Sequence, residues 1–196
     1  MLDDRAMVPT GLRHERFVVA PLTTTTAALD YAAYMASPDV IRAHSGGRWP
    51  VEGFTFSDEL ELVAKHEEDH KSRHAFTFVL LTPSETEALG CLYMNPLRSY
   101  LLRVEAPRHL VDETPLDSAM VTFWLRQDQQ DTGLAEVVVE AVNDWILDEW
   151  PLTAHVFRVL PGERSSCVAL DRLGLRKVRL ALLGDERPYI WYQGST

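Results

Sequence analysis

Gln130, Gly133 and Ala135 form a Gln-x-x-Gly-x-Ala spacing where a run of strand-forming residues gives way to a helix-forming one. The chemistry such a turn can do is anion binding. Glycine lets the chain turn tightly, and the first turn of a helix offers unpaired N–H groups and a partial positive charge to a phosphate. The Lys and Ser/Thr of a nucleoside-triphosphate loop are absent from this stretch. A second candidate is His66-Glu67-Glu68-Asp69-His70, which satisfies H-E-x-x-H. Two histidines at i and i+4 of a helix can bind zinc while the glutamate activates water, so a zinc-dependent hydrolase is one alternative reading. Both middle residues are acidic, however, and no downstream motif supplies a third ligand. The same histidines can instead relay a proton near neutral pH, or hydrogen-bond where their helix meets a sheet. At about 100° per residue, Phe56, Leu60, Val63, Glu67 and His70 fall in one stripe, which places these polar groups inward. Cys91, mid-strand among apolar residues, reads as core, and Cys167 beside Ser166 reads as core or surface packing.

The elements that must position these residues follow from periodicity and punctuation. Residues 16–22 read as a first strand, and Thr23 to Thr26 offer N-caps for a helix over 27–35 that Ser37-Pro38 closes. A short helix, 39–44, precedes the loop 45–50. Thr55 and Asp58 make a capping box for a helix reaching about residue 73. Strands are expected at 76–81 and 88–94, and then an irregular, proline-punctuated insertion over about 95–118. A strand at 119–126, a polar turn and a helix at 134–149 come next, ended by Pro151. A strand at 154–160 and a helix at 165–173 stopped by Gly174 follow. Strands at 177–183 and 189–192 close the chain. The order predicts an α/β (α+β) domain: a mixed, mostly antiparallel sheet of about seven strands flanked by helices, after an N-terminal tail of about 14 residues.

The 196 residues fit one domain, and 46% hydrophobic content suffices for a core. Nineteen Lys and Arg face 29 Asp and Glu, a formal charge of −10. Such a field repels nucleic acid, and no local basic patch is visible in the sequence. No apolar run spans a bilayer, and two distant cysteines suit a reducing compartment, so a soluble cytoplasmic protein without a membrane partner is expected.

The Gln130–Ala135 turn, set between the strand ending Phe123-Trp124-Leu125 and the helix from Leu134, resembles the Q/R-x-x-G-x-G/A pyrophosphate loop of the GNAT superfamily of acyl-CoA N-acyltransferases. The segment Glu163 to Leu175 is similar to the N-x-x-S-x-R-V-L-E-K-L-G-F helix of the ribosomal-protein N-terminal acetyltransferase branch: Ser166, Asp171-Arg172 and Leu173-Gly174-Leu175 align. Trp49-Pro50, His66 to His70 and Gly90-Cys91-Leu92-Tyr93 resemble uncharacterised actinobacterial members. Element order agrees from Arg16 to Tyr192.

The resemblance implies acetyl-CoA or another short acyl-CoA as co-substrate, with no metal, and direct attack of a primary amine on the thioester. Its implied cofactor contacts are the backbone of Phe123, Trp124 and Leu125 for the pantetheine arm, and Gln130, Asp131, Thr132, Gly133, Leu134 and Ala135 for the pyrophosphate. Ser166 would also touch the cofactor and would protonate the leaving thiolate, because the tyrosine other members use falls at Leu170. Glu163 stands where the branch has asparagine, which would put a carboxylate against the cofactor arm. Ser45, Trp49 and Tyr93 would line the acceptor, and His66 and His70 could relay its proton. The acceptor would be a small-molecule or peptide amine, and homodimerisation through the late strands is compatible with the superfamily. A CoA-binding regulatory protein of the same fold, without turnover, is the alternative the two departures favour.

Overall fold

The computed structural model describes residue 2 and residues 5–49, 51–178, 180, 182, 184, 185 and 187–194. Among them, one sheet of eight strands runs in the order β1-β2-β3-β4-β5-β6-β8-β7. The strands are β1 (Leu12–Arg13), β2 (Val18–Pro21), β3 (Phe76–Leu81), β4 (Ala88–Pro96), β5 (Ser118–Leu125), β6 (Ala154–Val159), β7 (Arg176–Val178) and β8 (Ile190–Gln193). Every pairing is antiparallel except β5–β6, which is parallel. A parallel pair needs a crossover, and α6 (Leu134–Glu149) supplies it. The sheet is thus one strand larger than the sequence implied. β1 has two residues, too few to show an alternation. The late strand expected over 177–183 is seen as Arg176–Val178; 179, 181 and 183 lie outside the described residues, as do 1, 3, 4 and 50.

Helix α6 packs Val138, Val139, Val142, Trp145 and Ile146 on one face of the sheet, over Phe78, Val121, Phe123 and Phe157. Burying each such side chain is worth about 1.5–3 kcal/mol. Trp150 takes an extended conformation (ψ 136°) ahead of Pro151 and ends the helix where expected. Helix α7 (Arg164–Arg172) shares this layer and stops at Gly174 with φ 74°.

The opposite face carries α1 (Ala27–Met35), α2 (Pro38–His44) and α3 (Phe56–Lys71), closed over Val79, Leu81, Cys91 and Trp124. The Thr55–Asp58 capping box forms as expected. The threonines before α1 do not cap it with side chains: Thr26 Oγ1 donates to the Thr23 carbonyl at 3.0 Å instead. Residues 95–118 are not irregular. They fold into α4 (Leu97–Arg103) and α5 (Arg108–Glu113), which bury Leu97, Tyr100, Leu101 and Val111 against Met120 and Trp191. Their prolines sit at helix starts, where the missing N–H costs nothing. At Gly90 the φ is 153° and a Cβ would lie 2.0 Å from the Trp124 carbonyl, so only glycine allows β4 to approach β5 there.

Candidate active site

The parallel pair β5–β6 registers only from Ser118 against Ala154 to Val121 against Phe157, while β5 continues to Leu125. Beyond Val121 the strands part and a wedge opens. It holds a cleft of about 400 Å³ walled by Trp124 and Leu125 of β5, Gln130 and Asp131 of the turn, Val40 and Ala43 of α2, and Gly162 to Ser166 at the start of α7. Phe123 buries its side chain in the core, so only its backbone can face the wedge.

A 3₁₀ turn, Gln127–Gln129, leads from β5 into residues 130–133. Gly133 is the N-cap of α6 in the left-handed conformation (φ 73°), with open space where a Cβ would stand. The first N–H groups of α6 therefore point out of the turn, with Leu134 N shared at 3.3 Å with Thr132 Oγ1. Leu134 and Ala135 bury their side chains beneath it. Gln130 Nε2 donates to the Leu125 carbonyl at 2.7 Å, so this side chain holds the loop on the strand, and Leu125 brings one fewer free carbonyl to the wedge. Arg126, paired with Asp128 (2.7 Å) and Glu87 (2.9 Å), fastens the turn from outside. Gln127 ties α2 to it: its N–H donates to Ser37 Oγ at 3.0 Å, and its side chain donates to Asp39 at 3.2 Å.

A second cavity of about 360 Å³ continues outward past Gly133, between Glu136, Arg164, Val168 and Arg172. Arg16 reaches the same loop, donating to the carbonyls of Thr132 (3.3 Å) and Gly133 (3.4 Å). Arg16 thus touches the anion-binding turn, while Arg164 and Arg172 of α7 line the cavity beside it together with Asp131 and Glu136.

Glu163 borders the cleft, but its carboxylate is already engaged. Oε1 lies 2.6 Å from His44 Nδ1, and Oε2 accepts from Leu160 N at 2.6 Å. In this structure the carboxylate of Glu163 is hydrogen-bonded to α2 through His44. His44, absent from the sequence candidates, stacks on the Tyr93 ring at 6.0 Å. Tyr93 accepts from Trp124 Nε1 at 3.2 Å and so lies behind the cleft wall that Trp124 forms. Ser166, 8% exposed, lines the cleft from the first turn of α7, and Leu170 is fully buried one turn further on. Cys167 is half-buried with its thiol pushed up by burial.

Ser45 and Trp49 are elsewhere. Ser45 Oγ is occupied by Trp49 N at 2.9 Å, and Trp49 packs edge-on to Phe54 beside a separate groove. Helix α3 also departs from the expected stripe: Glu59 and Val63 are buried while Phe56 and Leu60 are exposed. His66 Nδ1 meets Thr77 Oγ1 at 3.2 Å, and His70 Nδ1 meets the Thr77 carbonyl at 3.3 Å between Phe76 and Phe78. Burial pushes both imidazoles below the usual histidine range. Glu67 turns away to Thr24 and Lys71. Neither histidine borders the cleft, and the glutamate that should activate water does not share their side. Among the described residues no three His, Cys, Asp or Glu side chains gather to hold a metal ion. No described helix is long and apolar enough to cross a membrane.

Beneath α1 and α3, Asp30 and Glu59 share a buried hydrogen bond, and the Cys91 thiol donates to Asp30 Oδ1 at 3.0 Å. Burial, then the bond to Asp30, pushes Glu59 up to about 8. Cys91 is fully buried and its thiol is held protonated, which agrees with a core role.

No family model matches the sequence, and no curated protein does. Solved structures match over nearly the whole chain. The ribosomal-protein-S5-alanine acetyltransferase from Vibrio fischeri superposes with a TM-score of 0.65 at 18% identity, covering 94% of this chain and 96% of its own. The microcin C7 self-immunity acetyltransferase MccE, in complex with acetyl-CoA and AMP, gives 0.69 at 14% identity, covering 97% and 98%. Mycobacterium smegmatis RimJ, in complex with a CoA disulfide, gives 0.65 at 15% identity, covering 90% and 80%. At these identities the likeness is one of fold.

Proposed function

We propose that this chain, which has the GNAT fold, transfers an acetyl or short acyl group from acyl-CoA to a primary amine. One observation carries the reading: a wedge between two parallel strands runs directly into a helix N-terminus that Arg16 touches and that shares a cavity with Arg164 and Arg172. A slender arm ending in a pyrophosphate fits that shape and charge. The acetyltransferases of similar fold that hold acetyl-CoA or CoA support it.

In this reading the backbone of Phe123 to Leu125 pairs with the pantetheine arm, and the amides of residues 130–135 hold the pyrophosphate. The thioester then lies between Trp124 and the start of α7. The amine lone pair attacks the thioester carbonyl carbon, the C–S bond breaks, and Ser166 passes a proton to the departing thiolate. Similar structures named as ribosomal-protein acetyltransferases favour a peptide N-terminus as acceptor, reached from the α2 side. The protein works without a resident metal, in the cytoplasm.

Calorimetric titration with acetyl-CoA and CoA, with ATP as phosphate control, tests the cofactor. Micromolar binding selective over ATP is expected, and none at millimolar ligand overturns the reading. Thiol release is then followed with peptides bearing free N-terminal Ala or Ser, a polyamine and an aminoglycoside. Amine-dependent release separates an enzyme from a CoA-binding regulator, which the leucine at 170 would otherwise favour.

A further inference from the structure

An acceptor amine is protonated near neutral pH, so it must lose a proton before its lone pair can attack. His66 and His70 are turned to Thr77 and do not border the cleft. Asp30 and Glu59 are sealed beneath α1 and α3. A different pair lies next to the cleft, with Glu163 in its lining and His44 directly behind the lining residue Ala43. His44, the last residue of α2, presents Nδ1 to Glu163 Oε1 at 2.6 Å, and the Glu163 side chain is 7% exposed against 20% for His44. The second Glu163 oxygen is fixed by Leu160 N at 2.6 Å, so the carboxylate cannot swing away. A buried carboxylate on Nδ1 keeps the proton there and leaves Nε2 as the lone-pair nitrogen.

The neighbours of this imidazole set its access. Ala43 beside it and Glu163 beneath it both border the cleft. The Tyr93 ring covers one of its faces at 6.0 Å, and the Tyr93 hydroxyl bonds to Trp124 behind the cleft wall. Glu163 from the β6–α7 connection and Tyr93 from β4 both face it. Glu163 and Ser166 are three residues apart at the start of α7, so the carboxylate that orients His44 and the hydroxyl assigned to the thiolate share one helical face.

We infer that His44 is the general base for the acceptor amine and that Glu163 positions it. The inference rests on the acyltransferase reading above. His44 Nε2 takes one proton from the ammonium form of the acceptor and later yields it to solvent. The free amine forms the N–C bond to the thioester carbon. As the C–S bond breaks, sulfur leaves with the electron pair, and the nitrogen's surplus proton passes to it through the Ser166 hydroxyl. The products are the amide, the free CoA thiol and one proton.

The test compares wild type, His44→Gln, His44→Ala and Glu163→Gln in full-length protein. For the amine giving fastest thiol release, His44→Gln is expected to lower kcat by about 10²-fold or more, with the acetyl-CoA Kd within threefold of wild type. The ascending limb of its pH–rate profile should vanish, and millimolar imidazole should restore part of the rate of His44→Ala. Glu163→Gln, which keeps an oxygen for Leu160 N, should lower kcat about tenfold at unchanged melting temperature. A His44→Gln variant as fast as wild type, or one with its pH profile intact, overturns the base assignment while leaving the acyltransferase reading in place. Wild type that binds acetyl-CoA yet transfers to no amine sinks both. Nitrogen-15 spectra of the His44 ring give a readout independent of turnover: an Nδ1–H tautomer that is lost in Glu163→Gln is expected, and an Nε2–H tautomer in wild type overturns the inference.

Discussion

The hydroxyl of Ser165 donates to the carbonyl of Gln130, fastening the first turn of α7 to the anion-binding turn across 35 residues of sequence. The bond holds the two sides of the cleft at a fixed distance. One such bond is worth about 1 kcal/mol. Ser165→Ala is therefore expected to lower stability by about that amount and, by loosening the cleft, to weaken CoA binding measured calorimetrically. An unchanged Kd would show that the turn is held adequately by Gln130 and Arg126 alone.

Gly133 separates strain from charge. Its φ of 73° suits glycine, tolerates asparagine, and costs another residue about 1–2 kcal/mol, while a Cβ meets no atom within 4 Å. Gly133→Asn should bind CoA nearly as wild type. Gly133→Asp, which sets a carboxylate at the helix N-terminus against the pyrophosphate, should raise the Kd tenfold or more. Equal affinities for the two variants would remove the turn from the cofactor site.

Ser166 lines the cleft from the first turn of α7. Replacing it with alanine should reduce kcat by about 10²-fold and leave CoA affinity within twofold, because the hydroxyl acts on the departing sulfur. A rate equal to wild type would exclude it as the acid.

Arg164 borders both cavities, whereas Arg172 is paired with Glu136 at 2.6 Å. Arg164→Ala should accordingly cost more CoA affinity than Arg172→Ala, about tenfold against about threefold at low salt. Both losses should shrink as ionic strength rises, since exposed charges are screened within about 8 Å at 0.15 M salt.

The buried carboxyl pair imposes a pH dependence on stability. Glu59 is lifted from its ordinary 4.5 to about 8 by burial and by Asp30. The folded protein thus retains a proton that the unfolded chain releases in this range. Stability contributed by the pair is fully present below about pH 4.5 and is lost as pH rises through about 8. Urea melts between pH 5 and 9 should show a decline of at least about 1.4 kcal/mol, one unit's worth. Glu59→Gln should flatten it. A decline of the same size in that variant would place the effect in other groups.

Local rules were enough wherever a signal repeats or caps itself within a few residues. The capping box at Thr55 and Asp58, the limits of α6 at Leu134 and Glu149, and the stop at Gly174 were all legible, because each is decided by neighbours within one or two helical turns. The strand, turn and helix around Gly133 could be read for the same reason, and with them the prospect of an anion site. Tertiary structure decided the rest. Whether α3 turns Glu67 or Glu59 inward depends on what Asp30 and Thr24 offer across the layer, and no helical period encodes that choice. The run 95–118 became two helices only because Met120 and Trp191 gave their apolar sides something to cover. Arg16 reaches the turn that shares a cavity with Arg164 and Arg172, and His44 meets Glu163 across 119 residues, through backbone paths with no periodic trace in the sequence. Side chains pair according to where the sheet and its crossover deliver them. The sequence therefore determined most of the elements and the turn that can hold a phosphate, and only the folded chain determined which charges lie near that turn and which imidazole meets Glu163.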